Sequence, residues 1–139
     1  MTLSPAWDLQ TALWSALTGD AGVLATLGGP HIHDDVPQGA DFPFVSIGEI
    51  RTNDWSTQSA RGHEHFLTLH AWSRARGRKE VQAIMTALDQ LLDGAAIPLQ
   101  DHVLVNLSLV FWDARRDRDG ETYHGVMRFR AVTEPATQA

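Results

Sequence analysis

The chain has 139 residues, 43% apolar and 20% charged, which suits one compact folded domain and excludes a disordered or fibrous protein. It has no cysteine, so disulfides, thiolate metal sites and a cysteine nucleophile are excluded, and no apolar run reaches the roughly 18 residues of a membrane span. A formal charge of −6 gives no global attraction for a phosphate backbone, so a nucleic-acid role needs a local patch.

No basic segment followed by an apolar run opens the chain, so no signal peptide is expected. The expected compartment is the cytosol, or a particle assembled there. Ser4-Pro5 begins the first element. Serine caps a helix N-terminus, and proline suits the first helical position because its missing N–H has no partner there. Leu9, Leu13, Ala16 and Leu17 follow at helical spacing, which predicts a helix over 5–18. Trp7 and Trp14, seven apart, share one face of it and are expected in the core. Asp20 can cap a short second helix over 20–27, ended by Gly28-Gly29-Pro30. An extended piece at 31–33 precedes an irregular loop over 34–43 with two prolines and a glycine.

From Phe44 to Arg51 the residue types are those of a strand. Val45, Ile47 and Glu49 take one face, and Phe44, Ser46, Gly48 and Ile50 the other. Residues 52–62 are polar and read as a loop around Trp55. A second strand, 63–72, puts Phe66, Thr68, His70 and Trp72 on one face and His65, Leu67, Leu69 and Ala71 on the other. Apolar residues on both faces predict a central position. After a basic turn at 73–78, Val81, Ile84, Met85, Leu88, Leu91 and Leu92 form one helical stripe over about 79–92. Burying these side chains contributes roughly 9–18 kcal/mol of gross transfer free energy, at about 1.5–3 each, so the helix must lie on a sheet or another helix.

A hairpin completes the chain. Val103, Val105, Leu107, Leu109 and Phe111 alternate with Leu104, Asn106, Ser108, Val110 and Trp112. A polar turn over 113–121 contains Asp119-Gly120. In the return strand, 122–133, Tyr123, Gly125, Met127, Phe129 and Ala131 face one way, and His124, Val126, Arg128, Arg130 and Val132 the other. Arms of about eleven residues span on the order of 35 Å, which is long for so small a domain. Residues from about 134 to 139 read as a disordered tail. The order ααβββαββ predicts an α+β fold in a single domain over 1–139. Its antiparallel or mixed sheet carries helices packed on one face, plus the long C-terminal β-hairpin.

Few constellations carry chemistry. His31 with His33, and His63 with His65, read His-x-His; on a strand each pair shares a face and could hold one edge of a zinc site. The plainer reading is histidines at strand ends. No Gly-x-Ser-x-Gly elbow, phosphate-binding glycine loop or His-Glu-x-x-His is present, so no catalytic, cofactor or metal residue is assigned. Arg74, Arg76, Arg78 and Lys79 form one basic turn, and Arg115, Arg116 and Arg118 another. Asp113, Asp117, Asp119 and Glu121 interleave with the second, which favours salt bridges across a protein interface over a DNA stripe. Trp55 has no evident core to enter, and tryptophan is enriched among interface anchors. The loops at 52–62 and 113–121 are therefore candidate contacts, expected to be mobile in the free protein. The alternative is a small host domain binding metal through the His-x-His pairs or nucleic acid through the arginine turns.

The run Ile32-His33-Asp34-Asp35-Val36-Pro37-Gln38-Gly39-Ala40, followed by Phe42-Pro43-Phe44-Val45-Ser46-Ile47-Gly48-Glu49, resembles the phage tail-completion family. Asp54-Trp55-Ser56-Thr57, His65–Ser73, Gly77–Val81 and His124–Glu134 continue the likeness over about residues 9–134. It extends to the tail terminators of alphaproteobacterial gene transfer agents, phage-like particles that carry host DNA. The resemblance implies a non-enzymatic virion subunit in a hexameric ring that caps the tail tube and joins it to the head connector. Its implied partners are further copies of itself, the tail tube protein and the head–tail connector or stopper. DNA would pass only transiently through the channel, and no membrane or cofactor is implied. Six copies at −6 each would carry −36, which suits a lumen that repels DNA. Candidate contacts with subunits, tube or connector are Asn53, Asp54, Trp55, Ser56 and Thr57, then Arg115, Arg116 and Arg118, and Arg128 and Arg130.

Overall fold

In a computed structural model of the chain, residues 2–136 are described. The elements run α1 (Pro5–Thr18), α2 (Ala21–Leu27), β1 (Ile32–His33), β2 (Phe44–Asp54), β3 (His63–Ser73), α3 (Lys79–Leu92), β4 (His102–Arg116) and β5 (Tyr123–Pro135). Local chemistry sets the helix ends. The Ser4 hydroxyl accepts from the Trp7 N–H at the start of α1, and the Asp20 carboxylate accepts from the Val23 N–H at the start of α2. Gly28 closes α2 in the left-handed conformation, with φ of 75°.

The five strands form one mixed sheet in the order β1-β2-β3-β5-β4, with β1 parallel to β2 and every other pair antiparallel. The fold is α+β, and β3 lies at the centre of the sheet, as its two apolar faces predict. One face is the core. Leu67, Leu69 and Ala71 of β3 and Met127, Phe129 and Ala131 of β5 form a single cluster with Leu9, Leu13 and Leu17 of α1 and the stripe of α3. Val81, Ile84, Met85, Leu88 and Leu92 are completely buried, and Leu91 packs at the margin. Gly125 marks where α3 comes closest to β5: a Cβ there would stand 2.6 Å from Met85 Sδ.

Three β-bulges change which residues share a face. In β2, Ile47 pairs with Leu69 but Ile50 pairs with Leu67, so one extra residue sits between them. Ile50 thereby joins Val45 and Ile47 at the core, instead of facing away with Phe44 and Ser46 as strict alternation predicts. Gly48 allows this, because a Cβ at that bulge would stand 2.9 Å from His70 Nε2 and 3.0 Å from the Thr68 carbonyl. In β4, extra residues fall between Leu104 and Asn106 and between Leu109 and Phe111. The simple alternation expected for this strand is therefore wrong. Leu104 and Leu107 are buried, while Val103, Val105, Val110, Phe111 and Trp112 remain exposed.

Two further expectations need correction. Trp7 and Trp14 are 49% and 47% exposed rather than in the core. Leu9, Leu13 and Leu17 take the buried stripe, and the tryptophans stand about a third of a turn around the helix from it. The strands also run further than predicted. Residues 52–54 pair with 63–65, and 113–116 pair with 123–126, so both polar segments are partly ladder. Glu134 and Pro135, expected in the tail, end β5 opposite Val103 and His102; residues 137–139 lie outside the described residues.

Candidate functional site

The face of the sheet away from the helices is left open, and it gathers aromatic, imidazole and guanidinium groups. At the β1 end, Phe42, Phe44, Trp72 and His124 form a continuous column. Ring centroids are 5.0 Å apart for Phe42–Phe44 and 6.0 Å for Phe44–Trp72. Trp72 and His124 stack at 3.8 Å with their planes 6° apart. His70 Nδ1 lies 2.8 Å from His124 Nε2, so one imidazole N–H donates to the other's lone pair. Burial pushes the pKa of His70 down. Burial, then the neighbouring His70, does the same for His124, which suits a neutral pair. Trp72 Nε1 donates to the Ser46 hydroxyl at 3.2 Å.

Further along the same face, Arg128 lies over the Phe66 ring at 5.7 Å. Arg130 Nε donates to Glu64 at 2.7 Å, and its guanidinium sits 5.2 Å from the Trp55 ring centroid. Trp55 thus lies over its own sheet yet stays 54% exposed. Its loop is tied down: the Trp55 N–H donates to the Gly62 carbonyl at 2.9 Å, and the Ser56 hydroxyl donates to Asp54 at 2.7 Å. The hydrogen bonds from Ser56 hold the Asp54 pKa below its ordinary value.

The sheet register separates the candidate contacts. Asn53–Thr57 belong to the β2–β3 hairpin tip, with Arg130 beside them. Arg115, Arg116 and Arg118 belong to the β4–β5 tip at the opposite end of the strands. Arg115 and Arg116 are strand residues, not turn residues as expected, and only Arg118 lies in the turn. Arg128 occupies the middle of the open face. The β4–β5 turn is held by Asp119, which accepts from the Glu121 and Thr122 N–H groups and from the Thr122 hydroxyl. These bonds hold its pKa down to about 2. Beside this turn, Arg74, Arg76, Arg116, Glu121 and Tyr123 line a cleft of about 490 Å³.

The His-x-His pairs are used within the fold. His31 Nδ1 lies 3.0 Å from the Pro43 carbonyl, and His33 packs on Phe44. His65 is fully buried between the hydroxyls of Thr52 at 2.9 Å and Thr133 at 2.8 Å, and burial drives its pKa to about 4. His63 Nδ1 is buried without a partner, its ring 6.4 Å from that of His65. Among the described residues, no three histidine, aspartate or glutamate side chains come together as a metal site.

Sequence reasoning missed two features. Buried Asp8 joins α1 to the start of β4, accepting from the N–H groups of Gln100 at 2.9 Å and Asp101 at 2.8 Å and from His102 Nδ1 at 2.7 Å. Burial alone would raise its pKa; the His102 bond, then the two backbone bonds, outweigh it and hold the carboxyl low. Nothing in the local sequence announces a partner 94 positions away. The second feature is the exposed apolar length of β4, legible as apolar residues on both faces of one strand.

Comparison with known proteins fixes the family. The model of the tail completion protein gp17 family matches residues 11–134. The chain belongs to this family. Tail completion protein gp17 of Bacillus phage SPP1 is 27% identical over 89 residues, 64% of this chain and 66% of that protein, so the match falls just short of two thirds of its length. A chain in the virion of a native gene transfer agent particle superposes with a TM-score of 0.87 at 28% identity, covering 96% of this chain and 99% of that one. The structure of SPP1 gp17 itself superposes with a TM-score of 0.52 at 21% identity and 96% and 94% coverage, a likeness of fold.

Proposed function

We propose that this tail-completion protein is a tail terminator of a phage or phage-like particle. Six copies form a ring that caps the tail tube, meets the head connector or stopper, and leaves a channel for DNA. The observation that carries this reading is the near full-length superposition on a chain of a native gene transfer agent virion. The shape of the chain agrees with it. Two hairpins project from opposite ends of one rigid sheet, one bearing Trp55 and the other Arg115, Arg116 and Arg118. Such a subunit can touch one neighbour at each end of a tail axis. The tube and the connector are those neighbours, and the Asn53–Thr57 tip and the arginine tip are the contacts. Arg128 and Arg130, on the open face between the tips, complete the candidate surface. A net charge of −6 per copy keeps passing DNA from adhering to the ring. Assembly takes place in the bacterial cytoplasm, and no catalytic step belongs to this role.

Deleting the chain from a particle-producing cell tests the reading. Tails of uncontrolled length, or full heads that fail to join tails, are expected by electron microscopy. Particles of normal length and DNA content would overturn it. Imaging intact particles then shows whether the density at the head–tail junction has six-fold symmetry.

A further inference from the structure

We propose that the cleft between the 74–78 turn and the β4–β5 tip is a carboxylate-binding site, which takes an acidic segment of the protein that this end of the subunit meets in the particle. The contact rests on the reading above, in which the arginine tip touches a neighbour, and it specifies what that neighbour carries.

The sheet register builds the cleft. Ser73 pairs with Tyr123 and Tyr123 with Arg116, so the turn after β3 and the β4–β5 tip share one end of the sheet. Arg74, Arg76, Arg116, Glu121 and Tyr123 line the space between them. Arg74 lies 4.1 Å from the Phe42 ring centroid, and its Nε donates to the Thr122 hydroxyl at 3.2 Å. Arg116 donates to the Tyr123 hydroxyl from Nη2 at 3.0 Å and from Nε at 3.3 Å. The guanidiniums of Arg78 and Arg116 each sit 5.5 Å from the Tyr123 ring centroid. Ring contacts and hydrogen bonds to neutral groups thus hold these cations together, although like charges repel and a solvent face gives arginines no reason to converge.

The convergent donors are short of acceptors. Among the described residues, no carboxylate lies within ion-pair distance of Arg74, Arg76, Arg78 or Arg116. Tyr123 is only 4% exposed; its hydroxyl oxygen accepts from Arg116, and its own O–H has no acceptor among the described residues. The acids nearby are engaged elsewhere. Asp119 accepts from the N–H groups of Glu121 and Thr122 and from the Thr122 hydroxyl, Asp113 pairs with Arg115, and Glu80 accepts from the Ser73 hydroxyl. Glu121 lines the cleft without forming an ion pair to its arginines.

These features select the occupant. A guanidinium fork pairs with a carboxylate or a phosphate through two parallel N–H bonds, and guanidiniums held in place beforehand lose less freedom on binding. The rest of this end decides between a protein and a nucleic acid. Seven of the eleven lysines and arginines fall within 74–79 and 115–118, but Glu80, Asp113, Asp117, Asp119 and Glu121 lie among them. A phosphate backbone repeats one sign along its length and would meet these acids as well as the arginines. A protein segment can set a carboxylate on the arginines and a backbone N–H or a cation on Glu121, which matches a surface of alternating charge.

Titration of the purified chain tests the cleft directly. Hexaglutamate should shift the amide resonances of residues 74–78 and 116–123 saturably, and hexalysine should not. Arg76→Ala should weaken this binding on the order of tenfold, as the loss of one charge-assisted hydrogen bond does. Thermal unfolding should stay unchanged, because Arg76 is exposed and makes no hydrogen bond or ion pair in the fold, and Arg76→Lys should keep part of the affinity. No saturable shift with hexaglutamate, or equal binding of inorganic phosphate or a short DNA duplex, would overturn the site. In particles, Arg76→Glu should reduce completed tails or joined heads. Suppressors selected for recovery should replace an acidic residue of another particle protein by lysine or arginine. Normal particles, or recovery only through changes within this chain, would overturn the occupant. Normal particles after deletion of the whole chain would instead remove the terminator reading, while the peptide titration would still stand for the cleft.

Discussion

On the helix-covered face, Leu67, Leu69, Met127 and Phe129 are sealed beneath α1 and α3, while on the open face Phe66, His70, Trp72, Arg128 and Arg130 stand half-exposed beside one another. Both faces belong to the same strands, so backbone geometry does not distinguish them. The covered face has only to exclude water, and any well-packed set of apolar side chains does that. The open face carries ring stacks and cation–π contacts among residues that a solvent face does not need. Stability is therefore concentrated on one side of the sheet. Substitutions on the two sides should separate folding from assembly.

The largest effect is expected where α1 is pinned to the start of β4. Asp8→Ala removes the acceptor for two backbone N–H groups and the His102 ring. Leaving buried donors without an acceptor costs about 1–3 kcal/mol per group, which denaturant unfolding would read directly. Leu88→Ala, in the stripe of α3, should cost about 2–5 kcal/mol through lost burial and the cavity left behind. A loss under about 0.5 kcal/mol would mean that α3 is not core.

Acid offers a way to sharpen the comparison. His65 is buried and its pKa falls from 6.5 to about 4, so the unfolded chain binds its proton more readily than the folded one. Stability from this group is complete above pH 6.5 and is lost as pH falls towards 4, by up to roughly 3 kcal/mol. Asp8, also held low, adds loss only below its ordinary value of 3.8. His65→Gln should flatten the pH dependence of stability between 6.5 and 4. Parallel profiles for the two proteins would show that another group governs this range.

The covered face was largely legible in the sequence. The stripe of α3, the leucines of α1 and the alternation of β3 and β5 each obey one period, because a core face must repeat with the geometry of its element. Where an extra residue entered the ladder, the reading failed. The bulges at 48–49 and in β4 reset alternation, and only Gly48 hints at the first. The tryptophans of α1 misled for a related reason: apolar character fixed their preference for burial, but not whether this chain or another supplies the cover. The Asp8–His102 junction was invisible, since hydrogen bonds between distant positions leave no period. Of the candidate contacts, the residue types were legible; that they split between two opposite ends required the register.

The smallest effect on stability, and the clearest separation of the two faces, is expected at Trp55. Trp55 is 54% exposed, and the Arg130 guanidinium lies 5.2 Å from its ring centroid. An exposed cation–π contact is worth about 0.5–1 kcal/mol, so Trp55→Ala should move the unfolding midpoint only slightly. Arg130 keeps its ion pair with Glu64, and the backbone bond from residue 55 to Gly62 does not depend on the indole. The loop should therefore hold its shape without the ring. If Trp55 serves only its own sheet, assembly should follow stability and change little. If it anchors the hairpin tip to the tube or the connector, the small loss of stability should accompany a large loss of completed tails, because the proposed ring would repeat each contact in every copy. Tail length and the fraction of joined heads, measured in particles carrying Trp55→Ala, decide between these outcomes. Normal tails on a slightly destabilised protein would remove the 53–57 tip from the candidate surface and leave the arginine end to carry the assembly contacts.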